Sequence, residues 1–261
     1  MMETLPAKVG WLWIKEGFAL FRKQPAELSA LFFGYMFLML LIGMLPLLGR
    51  LVLLVLIPFF SISFLQASAY VEGGRKVYPN LLWTGFRSPQ RNTLLRLGLV
   101  YLCGAVIAVL CSALVDGGAF LQAVIGSKAV SEETMRSSNI SSAMLVTALL
   151  YLLVGMALWY AAPLIAWQKM SLGKAIFFSV YAVRRAVKAF VVFGLIWGVL
   201  NVAVPAIVSS VLGALTHSAA AIMFVLLPLS VVLTVIMYCS FYPTYTRVFG
   251  DPPDFSASDA A

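Results

Sequence analysis

Six stretches of this chain, each nineteen residues or longer, contain no Asp, Glu, Lys or Arg: residues 28–48, 51–70, 97–115, 143–166, 189–212 and 219–242. A helix needs about 20 apolar residues to cross a hydrocarbon layer roughly 30 Å thick. Within that layer each backbone N–H and C=O must be satisfied inside the chain, so apolar runs of this length span as helices. The pattern predicts an all-α, polytopic membrane fold with six transmembrane helices in three hairpins. The chain is 62% hydrophobic and 11% charged, whereas soluble domains carry about 25% charged residues. A single membrane domain is therefore expected over residues 1–250. Residues 251–261, with two prolines, three Asp and small side chains, read as a flexible cytoplasmic tail. The first residues do not read as a secretory signal, because Glu3 comes early and an amphipathic segment follows.

The charges that the spans lack are unevenly placed. If the N-terminus is cytoplasmic, Lys8, Lys15, Arg22, Lys23, Arg75, Lys76, Arg87, Arg91, Arg96, Lys169, Lys174, Arg184, Arg185, Lys188 and Arg247 lie inside. Only Arg50, Lys128 and Arg136 lie outside. Cytoplasmic loops carry the excess of Lys and Arg, so both termini are expected in the cytoplasm of a multi-pass protein of the bacterial inner membrane. The net charge of +8 then reflects topology and attraction to anionic headgroups. It does not suggest nucleic acid, since no recognition motif accompanies it.

Amphipathic segments precede the odd-numbered spans. Over residues 6–23, Lys8, Leu12, Lys15, Glu16, Arg22 and Lys23 share one side, and Val9, Trp11, Trp13, Ile14, Phe18 and Phe21 the other. Residues 171–188 repeat the scheme, with Lys174, Arg184, Arg185 and Lys188 opposite Leu172, Ile176, Val180, Val183 and Val187. Residues 80–92 form a shorter case, with Trp83 and Phe86 opposite Arg87 and Arg91. Such helices lie in the membrane interface. Lys8, Lys15, Arg22, Lys174, Arg184, Arg185 and Lys188 are expected to face lipid headgroups.

Polarity inside the spans is neutral, which argues against a proton or ion path built on buried charge. In the fifth span Gly194, Gly198, Asn201 and Pro205 fall on one face. Gly194-x-x-x-Gly198 permits close helix approach. Pro205 removes the backbone bond to residue 201, so Asn201 and that carbonyl could hold a solute, as broken helices do in transporters. The structural alternative is a helix contact, with Ser230 and Thr234 of the sixth span as partners for Asn201. Ser63, Gln66 and Tyr70 form a second stripe on the second span, lining either a vestibule or a helix contact. The first hairpin turn is expected at residues 46–50, with Arg50 reaching the outer headgroups. Ser131 resembles a helix N-cap, and Asp116 a turn residue. His217 reads as a solvated turn residue, and Cys103, Cys111 and Cys239 as packing residues.

No metalloprotease, nucleophile-elbow or phosphate-loop motif is present. No enzyme activity, metal or cofactor is expected. The run Gly10-Trp11-Leu12-Trp13 is followed by Glu16-Gly17-Phe18 and by residues 20–25. With residues 45–49, Pro58, Ala162-Pro163, residues 170–172, Ala175 and Tyr245-x-Arg247-x-Phe249, it resembles a family of uncharacterised multi-span inner-membrane proteins of proteobacteria. Members usually read closer to Ser-Tyr-Arg-Asp where this chain has Thr244-Tyr245-Thr246-Arg247. The resemblance implies a topology and no site. Together these features point to a non-enzymatic accessory, scaffold or lipid-interacting module, able to form a homo-oligomer or bind a membrane protein partner. A small transporter or channel for a neutral or lipophilic solute is the rival reading.

Overall fold

A computed structural model describes residues 5–45, 48–125 and 139–252. The expected cap at Ser131, the basic residues Lys128 and Arg136, and the tail after residue 252 lie outside them. The described residues form helices and no strand. In chain order these are α1 (Lys8–Lys23), α2 (Pro25–Gly43), α3 (Leu48–Glu72), α4 (Thr84–Arg87), α5 (Arg91–Asp116), α6 (Ala119–Ile125), α7 (Ile140–Ala157), α8 (Ala161–Ala166), α9 (Leu172–Arg185), α10 (Val187–Thr216) and α11 (Ala219–Phe249). A 3-10 turn, Pro79–Trp83, precedes α4. Six segments are long and apolar enough to cross a membrane: Pro25–Gly43, Leu48–Glu72, Arg91–Asp116, Ile140–Ala166, Val187–Thr216 and Ala219–Phe249. Five of them cover a charge-free stretch whole, and the first, Pro25–Gly43, covers 28–43 of the stretch 28–48.

Three local expectations change. Of the first turn expected at residues 46–50, residues 46 and 47 lie outside the described ones, and Leu48, Gly49 and Arg50 are already helical. Gly49 donates its N–H to Leu45 O at 3.0 Å, and a Cβ on it would sit 2.3 Å from Ile42 O. Only glycine lets the returning helix start that close. The Arg50 guanidinium donates to Val124 O at 3.3 Å. The segment expected as one amphipathic helix over 80–92 is a 3-10 turn, a single helical turn and the start of α5, since Pro89 interrupts the backbone ladder. The fourth span is interrupted at Leu158–Tyr160. Pro163 has no N–H to donate to residue 159 four positions back, so the helix ladder opens there.

The chain divides into two compact units. In the unit made of residues 1–37, 60–86 and 181–261, α1 packs on α10 and α11, which also pack on each other. A Cβ on Gly10 would lie 2.2 Å from Ala189 O, and one on Gly17 would lie 2.7 Å from Ser240 Cα. These two glycines are the notches by which α1 reaches its neighbours. Trp13 fills the space between them, with Phe190 and Phe193 at 5.1 and 5.9 Å. Phe32, Tyr35, Phe64 and Tyr238 form an aromatic cluster joining α2, α3 and α11. Glu16 and Arg247 form an ion pair between α1 and α11.

The second unit, residues 38–59 and 87–180, is built around α5. That helix packs on α6, α7 and α8. Gly98 sits against Val55 O, where a Cβ would come within 2.1 Å, and Gly104 faces Val154. Asp116 closes α5 by accepting from the N–H groups of Gly118 and Phe120 at 2.9 and 2.6 Å. Its carboxylate thereby caps α6, the turn role expected for it.

Polarity is arranged inside out relative to a soluble protein. Phe37, Leu114, Phe224 and Leu227 are among the exposed side chains, while Ser63, Gln66, Ser68, Ser112, Ser179, Ser240 and Thr244 are buried. Outward apolar groups and inward neutral hydroxyls suit a lipid solvent, where helices associate through packing and hydrogen bonds.

Candidate functional site

The outer face of α10 carries the first candidate site. Pro205 lies inside a helix that continues from Val187 to Thr216, so the expected break does not occur. The Asn201 amide donates to Trp197 O at 2.9 Å, one turn back on its own helix. Ser230 and Thr234 donate to Leu226 O and Ser230 O at 2.8 and 2.7 Å. Each expected partner is thus turned onto its own backbone, and the interhelical bond from Asn201 to Ser230 or Thr234 does not form. Short hydroxyls satisfy themselves this way whenever a carbonyl lies four residues behind.

Among the described residues nothing packs on the glycines of this face. A Cβ on Gly194 or Gly198 would meet nothing within 4 Å. With Leu195, Val199, Val202 and Ala203 they line a shallow apolar groove of about 410 Å³. Asn201 is exposed on the same side. The face therefore presents two glycines, a ridge of branched side chains and one amide to its surroundings.

The α3 stripe is interior. Ser63 is fully buried and donates to Leu82 O at 2.8 Å. Gln66 is buried as well. Tyr70 is half-buried, with the Arg75 guanidinium 5.1 Å from its ring centroid. Nearby, Gln24 ties the α1–α2 junction to the loop after α3, donating to Arg75 O at 2.6 Å and accepting from Val77 N at 3.0 Å. These contacts favour packing over a vestibule.

The basic residues expected at headgroups are mostly outward. Lys8, Lys15, Arg22, Lys174, Arg184 and Lys188 are exposed. Arg185 is half-buried and stacks on Tyr181 at 4.9 Å. The inner faces differ from the expected ones. On α1 the buried line is Val9, Gly10, Trp13, Ile14, Gly17 and Leu20, with Trp11 turned out. On α9 the buried residues are Ala175, Ser179, Ala182 and Val183, while Phe177, Phe178 and Tyr181 are exposed and Val187 beyond the helix is exposed too. On α9 the inward residues are small, and on α1 Gly10 and Gly17 sit among larger ones; small residues allow the closest helix approach, which hydropathy alone does not reveal.

One arrangement had no sequence signal beyond Pro163. At the interruption of the fourth span, Tyr160 N–H donates to the Ser179 hydroxyl at 3.0 Å, and the Tyr101 hydroxyl donates to Leu158 O at 3.4 Å. Tyr160, Ser179 and Leu158 are buried and Tyr101 nearly so. The Ser179 hydroxyl thus accepts the Tyr160 N–H at the break, and the Tyr101 hydroxyl adds a second donor to Leu158 O, which also accepts from Ala161 N–H at 3.0 Å. His217 ends α10 in a left-handed conformation. The cysteines are unpaired, with Cys239 buried, Cys111 half-buried and Cys103 exposed. Among the described residues no group of His, Cys, Asp and Glu could hold a metal ion.

Six helices long and apolar enough to cross a bilayer, with neutral polar groups inside and apolar groups outside, define the class as a polytopic helical membrane protein. No known family model matches the chain, and no solved structure does. The chain is 38% identical over 251 residues to a probable inner membrane protein of Burkholderia thailandensis, an alignment covering 94% of this chain and 92% of that protein. The chain belongs to the same family as that inner-membrane protein.

Proposed function

We propose that this protein is a non-enzymatic module of the inner membrane that works by assembling with itself through the outer face of α10. The observation that carries the reading is the coincidence of Gly194, Gly198 and Asn201 on one uncovered helix face. Glycines spaced four apart let a second helix approach to backbone contact. An amide left in hydrocarbon has donors and an acceptor to satisfy, and the same amide of a second copy supplies both across a two-fold axis. Such a bond contributes about 1 kcal/mol in a membrane. The inner-membrane location follows the named relative. The excess of Lys and Arg on one side supports cytoplasmic termini, and the exposed basic residues of α1 and α9 support a position along the inner leaflet.

The test is disulfide trapping in native membranes, using full-length protein with Cys103, Cys111 and Cys239 changed to Ala. Gly198→Cys should give a covalent dimer on mild oxidation, and Phe224→Cys, an exposed position on α11, should not. Equal trapping at both positions, or none at Gly198→Cys, contradicts the reading.

A second reading, transport of a neutral or lipophilic solute, draws support from the interrupted fourth span. Unwound backbone near mid-membrane is a recurrent feature of transporter sites. Here Tyr160 N–H donates to the Ser179 hydroxyl, and Leu158 O accepts from both Ala161 N–H and the Tyr101 hydroxyl, which favours a structural role for the break.

A further inference from the structure

The end of α3 folds back onto the junction of α1 and α2. Gly74 takes a left-handed conformation, with φ at 70°. The N–H groups of Arg75 and Gly74 reach back to Tyr70 O at 2.8 Å and Val71 O at 3.2 Å, a pair of bonds that ends a helix and turns its chain aside. Residues 75–77 then run beside Gln24, whose amide donates to Arg75 O at 2.6 Å and accepts from Val77 N–H at 3.0 Å. One glutamine side chain bridges the two backbones. Arg22 and Lys23 come just before it on one strand of chain, and Arg75 and Lys76 lie at its contacts on the other, all within one compact unit. All four basic residues are exposed. Val77 is buried while Lys76 and Tyr78 on either side of it are exposed, so those two side chains turn outward. Among the described residues no ion pair reaches Arg22, Lys23 or Lys76. The acids of these stretches have other roles. Glu27 lies in the first turn of α2, where a carboxylate favours the helix dipole, and Glu72 accepts from the Tyr242 hydroxyl.

We infer that this junction binds the headgroup phosphate of an anionic phospholipid, shared between the two basic segments that Gln24 ties together. Lys23 and Lys76 supply charge from the two sides, beside Arg22 and Arg75. The chemistry recognised is a phosphate anion, and the place of the junction in the chain selects the lipid as its source. The first charge-free stretch begins at residue 28 and the second ends at residue 70, so both basic pairs stand five or six residues outside a span. Two consecutive crossings return the chain to the side it left, which sets both pairs at the headgroups of one leaflet. Tyr78 is 58% exposed beside them, and amphipathic aromatic rings prefer that depth. Each basic side chain near an anionic surface contributes about a fivefold gain in binding. The same cluster repels the choline of a zwitterionic lipid, so anionic lipid is preferred. The site shares no residue with the α10 self-association face and stands or falls without it.

The experiment is native mass spectrometry of the full-length protein in a neutral detergent, titrated with dioleoylphosphatidylglycerol or dioleoylphosphatidylcholine. Wild type should retain phosphatidylglycerol in preference to phosphatidylcholine. Lys23→Gln and Lys76→Gln should each lose about fivefold in affinity, and the double variant at least about tenfold, while Lys23→Arg/Lys76→Arg keeps it. The matched control is Lys8→Gln/Lys188→Gln, which removes two exposed charges from the same compact unit. Lys8 and, through the contact of Gly10 with Ala189 O, Lys188 lie toward the other end of α1, about 20 Å along the helix from Arg22 and Lys23. The control should bind as wild type. Equal loss in the two Gln doubles would show bulk charge attraction and overturn the site. A silent Lys23→Gln or Lys76→Gln would show that the two segments do not share the lipid and would overturn it too. So would equal retention of phosphatidylcholine, equal loss in the Gln and Arg doubles, or displacement of the lipid by millimolar inorganic phosphate.

Discussion

Gly98 and Gly194 are both glycines within apolar spans, yet their surroundings are opposite. A Cβ at residue 98 would be 2.1 Å from Val55 O, whereas one at residue 194 would meet nothing within 4 Å. Gly98→Ala must push a backbone away and is expected to destabilise by about 1–3 kcal/mol. Gly194→Ala should leave monomer stability unchanged. Thermal unfolding in detergent checks the pair, and equal midpoints would contradict the packing described here. The same contrast shows what could be read at the residue scale. The spacing of Gly194 and Gly198 signals a close approach from sequence, but among the described residues the close approaches use Gly10, Gly17, Gly49, Gly98 and Gly104. Nothing in the sequence says which element a glycine will meet. Asn201 was legible as a polar group near mid-span, but its bond to Trp197 O depends on how its side chain turns.

At the level of helices, the apolar runs marked the six spans because hydrocarbon tolerates no unsatisfied backbone. The ends were less legible, since helices run past the charge-free stretches into residues such as Arg91 and Arg247. The interruption of the fourth span shows why. Pro58, Pro205, Pro228 and Pro243 all sit inside continuous helices, whereas Pro163 follows a break. At that break the Tyr160 N–H turns to the Ser179 hydroxyl, a partner distant in sequence. Ser179→Ala leaves the buried Tyr160 N–H without its acceptor and is expected to cost about 1–3 kcal/mol. Hydrogen exchange over residues 157–166 should accelerate in that variant. Unaltered exchange and an unaltered unfolding midpoint would mean that the hydroxyl does not hold the break. Similarly, α1 was legible as amphipathic, but its docking on α10 and α11 through glycine notches was not, because a helix lying on lipid and one lying on protein share the same periodicity.

For the whole molecule, charge distribution and apolar length together constrain the class, and the similarity to a probable inner membrane protein of Burkholderia thailandensis agrees with it. An even number of crossings would return the chain to its starting side. A periplasm-active reporter fused at Ser131 should be active and one fused at Gly173 inactive, with a cytoplasm-active reporter giving the reverse. Opposite activities would invert the topology. The central claim is that the uncovered α10 face is covered by a second copy. Single-molecule photobleaching of singly labelled protein in dilute vesicles measures this directly. Wild type should bleach in two steps, and Gly198→Leu/Asn201→Leu in one. Single-step bleaching of wild type, or two steps persisting in the double variant, would contradict the account.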